Sequence, residues 1–484
     1  MRETEFAIVG AGAAGLAAAG EAAEHGVQVT ILDDNVQHGG QYFRQLPRAY
    51  RRVRATTWDK EQTRWQRLSG LARQQGVIHM SDTIVWEAPE DSVLAFARGQ
   101  ESGRLRAKQI LLATGAHDRP MPFPGWTLPG VMTAGGFQNL LKGQRIIPGR
   151  RIAVAGNGPL ALLVAANVAK SGAELVAVAE AAPILSRLCR EAANLIWAPK
   201  IARQAIEYSA AVAKVRAPVL LGWTVIEARG DGELREVVMA PIDGAGKIDR
   251  AAQRVFAADT LVLGFGLVPS VELARAMGCE MRWDGARGGW LPVRDEELGT
   301  SRPGVLAAGD GAGIGGVEMA LLEGTLAGIV AAERTGHLDG RIAARKKRAV
   351  AAKIARLSRF RAALERLYAG PRSWLGLLTP ETIVCRCEEV TAGELRGRTA
   401  EGFESAFALK GTTRISMGRC QGRNCARTLA ALVAEATGQD PGDVAMPRAR
   451  PPARLVTIGD LLHEDLPAFE PPKDPHLPRG EKVN

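Results

Sequence analysis

Residues 5–33, EFAIVGAGAAGLAAAGEAAEHGVQVTILD, decide the fold. An apolar run passes through a glycine turn into an alanine-rich helix, then through Gly26 into a second apolar run that ends on an acid. Strand, helix and strand in this order form a βαβ unit able to hold a dinucleotide. In the turn of Gly10, Gly12, Ala14 and Gly15, the first glycine permits the tight bend and the second lets the main chain approach a pyrophosphate. The third, Gly15, lets the helix lie close to the strand, and the helix N-terminus offers free N–H groups to phosphate oxygens. Asp33, 18 residues after Gly15, stands where a carboxylate accepts the ribose hydroxyls.

Two later segments extend this pattern. ILLATGA, residues 110–116, is a short apolar strand ending in a turn with Thr114 and Gly115. TSRPGVLAAGD, residues 300–310, is a turn and an apolar strand ending on Gly309 and Asp310. Both resemble the later FAD motifs of two-dinucleotide-domain flavoprotein reductases such as thioredoxin reductase. The resemblance implies FAD in the first unit, with Asp310 at the ribitol chain. A helix beginning near Val317 follows GAGIGG, and its dipole would favour negative charge on a reduced flavin ring.

Between these motifs, residues 151–180, RIAVAGNGPLALLVAANVAKSGAELVAVAE, repeat the strand, turn, helix and strand. Gly156 and Gly158 keep the first two glycine roles, Ala161 replaces the third, and Glu180 ends the second strand where a ribose-binding acid belongs. Ala181-Ala182-Pro183 follows with no arginine to meet a 2′-phosphate, so the pattern favours NAD, or ATP or another adenine nucleotide, over NADP. Pro159 and Leu160 put bulk into the turn, which leaves open a packing unit without ligand.

Disulfide reductases of this type carry two closely spaced cysteines beside the flavin or in the second domain. Here Cys189 and Cys279 lie 90 residues apart, each expected to be a small buried hydrophobe. Electrons must leave the flavin by another route. Cys385 and Cys387 in VCRCEEV, with Cys420 and Cys425 in MGRCQGRNC, form CxC and CxxxxC pairs that fit a 2Fe-2S cluster, the CxC turn directing two sulfurs to one iron. Zinc also takes four thiolates but favours CxxC knuckles, and it stays as the alternative metal. Arg386, Arg419 and Arg423 would offset the cluster's charge, or be plain surface arginines. Among the histidines, His25, His38, His79 and His117 read as turn or surface residues, and no side-chain acid or base is assigned a catalytic role.

The formal charge of +10 is local: residues 341–366 hold ten Lys or Arg against one acid. Val350, Ile354, Leu357, Phe360, Leu364 and Leu367 recur at helical spacing there, so the segment is an amphipathic helix with a basic outer face. It packs on its own protein or meets an acidic partner; no nucleic-acid module accompanies it. The opening MRETEFAIVG carries two acids and runs straight into a strand, and no apolar run is long enough to span a bilayer, so a cytoplasmic protein is expected. From residue 441 to 484 there are nine prolines in 44 residues, too many for a core, and an extended arm anchored by LVTIGDLL and LPAF is expected.

The runs TIVCRCEEV, MGRCQGRNC, HGGQYFRQ (38–45) and GNGPL together resemble the larger flavin subunit of heteromeric bacterial dehydrogenases. That family includes the A subunit of opine oxidases, the alpha subunit of proline and D-hydroxyproline dehydrogenases, and the B subunit of hydrogen cyanide synthase. The cysteine segment also resembles bacterioferritin-associated ferredoxin (BFD), which uses CxxC for its second pair. The resemblance runs from Phe6 to about residue 462 and adds Gly40 and Gln41 to the FAD residues. It implies an α/β protein with two Rossmann-like dinucleotide-binding domains of thioredoxin-reductase type and a small α+β BFD-like 2Fe-2S domain. The expected boundaries are 1–117 and 275–335 for the FAD domain, 118–274 for the inserted nucleotide domain, 336–380 for the linker helix, 381–440 for the cluster domain and 441–484 for the arm.

The resemblance further implies an electron-transfer subunit of a hetero-oligomeric amino-acid or opine dehydrogenase. The C–N bond is oxidised at a flavin in a partner of D-amino-acid-oxidase type, with room for a downstream electron acceptor and a further small subunit. A self-contained NADH-dependent reductase and a nucleotide-binding structural subunit remain as alternatives.

Overall fold

Phe6, Ala7 and Ile8 are wholly buried in the strand Arg2–Val9, as a central strand covered on both faces requires. It pairs in parallel with Val29–Leu32 on one side and Glu101–Leu112 on the other. Val77–Met80 adds beyond Val29–Leu32, and Val305–Ala307 pairs in parallel with Glu101–Leu112, bringing the third motif beside the second. An antiparallel meander through Val93–Arg98 and Ile84–Glu90 completes this seven-stranded sheet. The computed structural model describes residues 1–46, 62–71, 75–90, 92–99, 101–195 and 199–462.

Helices Ala13–Glu24 and Val317–Arg334 pack face to face beside this sheet. They approach closely because Gly324 and Gly328 face the first helix's backbone: a Cβ on Gly324 would lie 2.2 Å from Ala14 O, and one on Gly328 2.6 Å from Ala18 O. The first and last FAD motifs are thereby locked together from opposite ends of the domain.

The chain leaves this sheet along Ala116–Asp118 and returns along Leu267–Pro269, and the two crossings pair antiparallel. Between them lies a five-stranded parallel sheet ordered Val219–Leu221, Glu174–Glu180, Arg151–Gly156, Thr260–Gly264, Val131–Thr133. A three-stranded antiparallel sheet (Trp223–Arg229, Glu236–Pro241, Arg254–Ala257) packs against it through Val225, Val237 and Met239.

The basic stretch forms the helix Gly340–Leu367, started by Asp339, whose carboxylate accepts from the N–H groups of Arg341 and Ile342 at 2.9 and 3.2 Å. Its charge is not all on an outer face. Lys347 bonds Glu333 at 2.7 Å, Lys346 bonds Glu21, and Arg366 grips Glu191 with two bonds of 2.7 Å. Long basic side chains at the edge of the apolar stripe reach back to acids of the helices beneath.

Beyond it, a short hairpin (Ile383–Cys385 with Val390–Thr391) and helices Ala392–Ala400, Ala406–Thr413 and Ala426–Thr437 close over a small core that includes Val384, Leu395, Leu409 and Leu429. The arm then runs back over the first domain. Ala453 N–H donates to Trp86 O at 2.7 Å, Arg454 pairs with Asp34 at 2.9 Å, and Val456 and Leu461 of LVTIGDLL pack on Trp86. LPAF lies outside the described residues. No helix among the described residues is long and apolar enough to cross a membrane.

Two expectations are corrected here. Cys279 is buried, but Cys189 is exposed, because it falls on the outward face of the amphipathic helix Ile184–Leu195. His38 lies in a turn as expected, bonding Ser69 Oγ at 2.6 Å and stacking on Trp65, but His79 is neither turn nor surface: it is a half-buried residue of the strand Val77–Met80, and burial pushes it below the usual histidine range.

Candidate active site and metal centre

The FAD motifs converge on one cleft of about 1130 Å³. Gly10 has φ +109°, and a Cβ there would sit 2.3 Å from Ala113 O, so only glycine lets the first turn pass beneath the second motif. A Cβ on Gly15 would lie 1.9 Å from Gly10 O, which places that residue behind the turn rather than in the cleft. Gly12 faces open space: among the described residues nothing lies within 4 Å of where its Cβ would be. It caps the N-terminus of Ala13–Glu24 and lines the cleft together with Gly10, Ala14, Asp33, Gly40 and Gln41. Thr114, Gly115, Gly309 and Asp310 complete that wall.

Each acid is held by main-chain donors. Asp33 accepts from the N–H groups of Ala11 and Asn35, the latter at 2.8 Å, yet burial pushes its carboxyl above the usual range. Asp310 Oδ1 accepts from Gly315 and Gly316 N–H at 2.8 and 2.9 Å, just ahead of the helix Val317–Arg334. Those two donors are thus engaged by Asp310 rather than left for a flavin. Thr114 Oγ1 donates to Ser270 O at 2.6 Å, tying the second motif to the returning crossing.

Residues with no motif of their own set this geometry. Glu323, 5% exposed, takes two bonds from Arg294 at 3.1 Å and one from Gly309 N–H at 2.7 Å, fixing the last turn. Arg44, the last basic residue of HGGQYFRQ, lines the cleft and donates to Asn139, and burial lowers it to about 10. The open space at Gly12, the donors around Asp33 and the size of the cleft fit a dinucleotide laid across the carboxyl ends of the strands.

The second unit is arranged differently. Glu180, 5% exposed, accepts from Gly158 and Ala182 N–H at 3.0 and 2.9 Å, and burial pushes it up to about 7. Gly156 packs against Ala161 and Gly264 O. None of Gly156, Gly158, Ala161 or Glu180 lines the large cleft, whereas Pro159 and Leu160 do. Over the turn lies the chain that follows the long helix: Asn157 Nδ2 donates to Tyr368 O at 2.7 Å.

The four cysteines of the third domain come together. Cys385 and Cys425 are buried and Cys387 and Cys420 half-buried. Cys385 lies against Cys425 and Cys387 against Cys420, so the sulfurs of the two motifs face one another. The strand ends at Cys385, and the turn through Glu389, φ +54°, carries Cys387 toward the second motif. The Cys425 thiol and the main-chain N–H groups of Ser416, Glu388 and Cys387 hold Cys385 down at about 5, the environment of a sulfur that carries negative charge. Glu389, Arg414, Ser416 and Gln421, none of them glycine, have φ between +51° and +64°, strain concentrated in the two cysteine loops. Among the described residues no set of three or more ligands closes on a single ion site. Four cysteines brought together, with main-chain N–H donors at Cys385, fit a 2Fe-2S cluster.

Arg423, inside the second cysteine motif, joins this centre to the cleft. It lines the cleft, its Nη2 donates to Ser270 Oγ at 3.1 Å, and its Nε pairs with Glu272 at 2.8 Å. His117 Nε2 donates to Arg423 O at 3.2 Å, which fixes the tautomer, and burial keeps the ring neutral by pushing its pKa down. Arg423 is therefore not a surface arginine, and His117 is a wall of the site; the only hint of either in the sequence was proximity to a motif. A second tie runs from Trp126 Nε1–H to Ile383 O at 2.7 Å, with Arg386 over the same indole.

Comparison with known proteins agrees with this division. Residues 4–336 match the pyridine nucleotide-disulphide oxidoreductase family, and residues 379–463, containing all four cysteines, match the sarcosine oxidase A3 domain. The opine oxidase A subunit of Agrobacterium tumefaciens is 34% identical over 95% of this chain and 91% of its own. The hydrogen cyanide synthase subunit HcnB of Pseudomonas protegens is 31% identical over 89% of this chain and 92% of its own. The crystal structure of L-proline dehydrogenase from P. horikoshii shares the fold, with a TM-score of 0.67 at 21% identity, over 95% of this chain and 79% of that one. The chain belongs to the pyridine nucleotide-disulphide oxidoreductase family of flavoproteins, in the group that contains HcnB and the A subunits of opine oxidase.

Proposed function

We propose that this flavoprotein is the electron-transfer subunit of a hetero-oligomeric amino-acid or opine dehydrogenase, in which a partner of D-amino-acid-oxidase type oxidises the substrate's C–N bond. The carrying observation is Arg423, a residue of the CxxxxC loop that also forms part of the FAD cleft wall. FAD accepts electron pairs and releases them singly, and a 2Fe-2S cluster carries one electron at a time. The chain's own part is placement. Gly12 and the first helix N-terminus receive the pyrophosphate, Asp33 the ribose, and Asp310 the ribitol. Cys385, Cys387, Cys420 and Cys425 hold the irons, with N–H donors stabilising the anionic sulfurs. His117 and Arg423 tie the cleft wall to the second cysteine loop, between the two centres.

Purification from the native host under anaerobic conditions tests this. A companion flavin subunit should copurify, and iron and acid-labile sulfide should be present in equal amounts. An N-substituted or cyclic amino acid should reduce the complex but not the isolated chain. Zinc in place of iron, or a single-chain enzyme that turns over such a substrate alone, would overturn the proposal.

A further inference from the structure

The second βαβ unit has the parts of a nucleotide site, but its crevice is already filled. A doubly wound sheet binds its ligand beyond the carboxyl ends of the strands where strand order reverses. That point lies between Arg151–Gly156 and Thr260–Gly264, with Asn157 and Phe265 the first residues past each strand. The chain leaving the long basic helix crosses this edge. Tyr368 O accepts from Asn157 Nδ2 at 2.7 Å, and Ala369 O from Arg187 Nη1 at 2.6 Å. Gly370 is pressed so close that a Cβ would lie 1.9 Å from Asn157 Oδ1. Trp374 meets Phe265 edge to face at 5.2 Å between centroids, with the half-buried Arg119 over its ring at 5.9 Å.

We infer that this crevice is a socket for the chain's own segment, residues 368–374, and that its work is to seat the cysteine domain against the FAD cleft. Thr379, the start of the cysteine domain's match, follows Trp374 by five residues, a reach of at most roughly 18 Å. Seating Trp374 therefore restricts where the four cysteines can lie, and the Trp126 bond to Ile383 O completes the placement. The role given to the seated domain rests on its being the cluster carrier; the occupied crevice does not. With the crevice filled, this site does not hold NADH for hydride transfer to the flavin.

The test uses the FAD-loaded full-length protein with NADH and ATP as probes. Equilibrium dialysis should find no saturable binding of either up to about 1 mM, the upper end of ordinary enzyme affinities, and anaerobic NADH should leave the flavin oxidised. Asn157→Leu and Gly370→Val should keep the flavin spectrum while trypsin cuts at Arg372 at least tenfold faster than in the wild type. Stoichiometric binding of NADH or ATP that Glu180→Ala abolishes would overturn the inference. So would latch variants that retain the flavin and resist trypsin as well as the wild type does. Neither readout involves iron, so a chain found without a cluster would sink the functional proposal and leave this one standing.

Discussion

Gly12 and Gly15, neighbours in the first turn, carry opposite expectations. A Cβ at Gly12 enters open space in front of the helix, so Gly12→Val should fold normally by circular dichroism and come off the column colourless, its FAD displaced. A Cβ at Gly15 meets Gly10 O at 1.9 Å, so Gly15→Val should cost about 3 kcal/mol or more and lower the unfolding midpoint whether or not FAD is present. Glu180 gives a pH signature. Burial raises its folded pKa from 4.5 to about 7, so its protonated form favours the native state below pH 4.5, and that advantage is lost as the pH rises through 7. The loss amounts to roughly 3 kcal/mol, and Glu180→Gln should flatten the fall in unfolding midpoint between pH 5 and pH 8; an unchanged slope would mean that another group is responsible. Asp33, Asp310 and the four cysteines were legible in the sequence because each sits at a fixed offset from a turn of characteristic composition. Glu323, His117 and Arg423 were not, since they act through contacts 14 to 306 residues away in the chain that no local pattern encodes.

At the scale of elements, the packing of the first helix on Val317–Arg334 depends on Gly324 and Gly328, and a larger residue there would push apart the first and last FAD motifs. Gly324→Leu should therefore weaken FAD retention in dialysis along with stability, unlike Gly12→Val, which should affect FAD alone. The strand, turn and helix periodicities of both βαβ units were readable because their apolar runs and glycine offsets are strong. The second unit shows where such reading stops. Its motif is intact from Arg151 to Glu180, but what fills it, Tyr368 to Trp374, lies some 190 residues later and carries no signature of its own. The basic helix was visible from its apolar spacing, while the inward turn of Lys346, Lys347 and Arg366 depended on acids in other helices.

Over the whole molecule, three units share one junction: the FAD cleft, the filled second crevice and the cysteine domain meet around His117, Trp126, Arg423 and Trp374. Arg423→Leu removes the ties to Ser270 and Glu272 while sparing every cysteine, so iron and flavin contents should hold and electron exchange between the centres should slow at least tenfold. Flash photoreduction of the flavin in the presence of EDTA, followed by rapid freezing and electron paramagnetic resonance, follows that exchange directly. The wild-type chain should show the reduced iron–sulfur signal rising as flavin absorbance recovers. A flavin that stays reduced while no iron signal grows would contradict the pairing of the two centres.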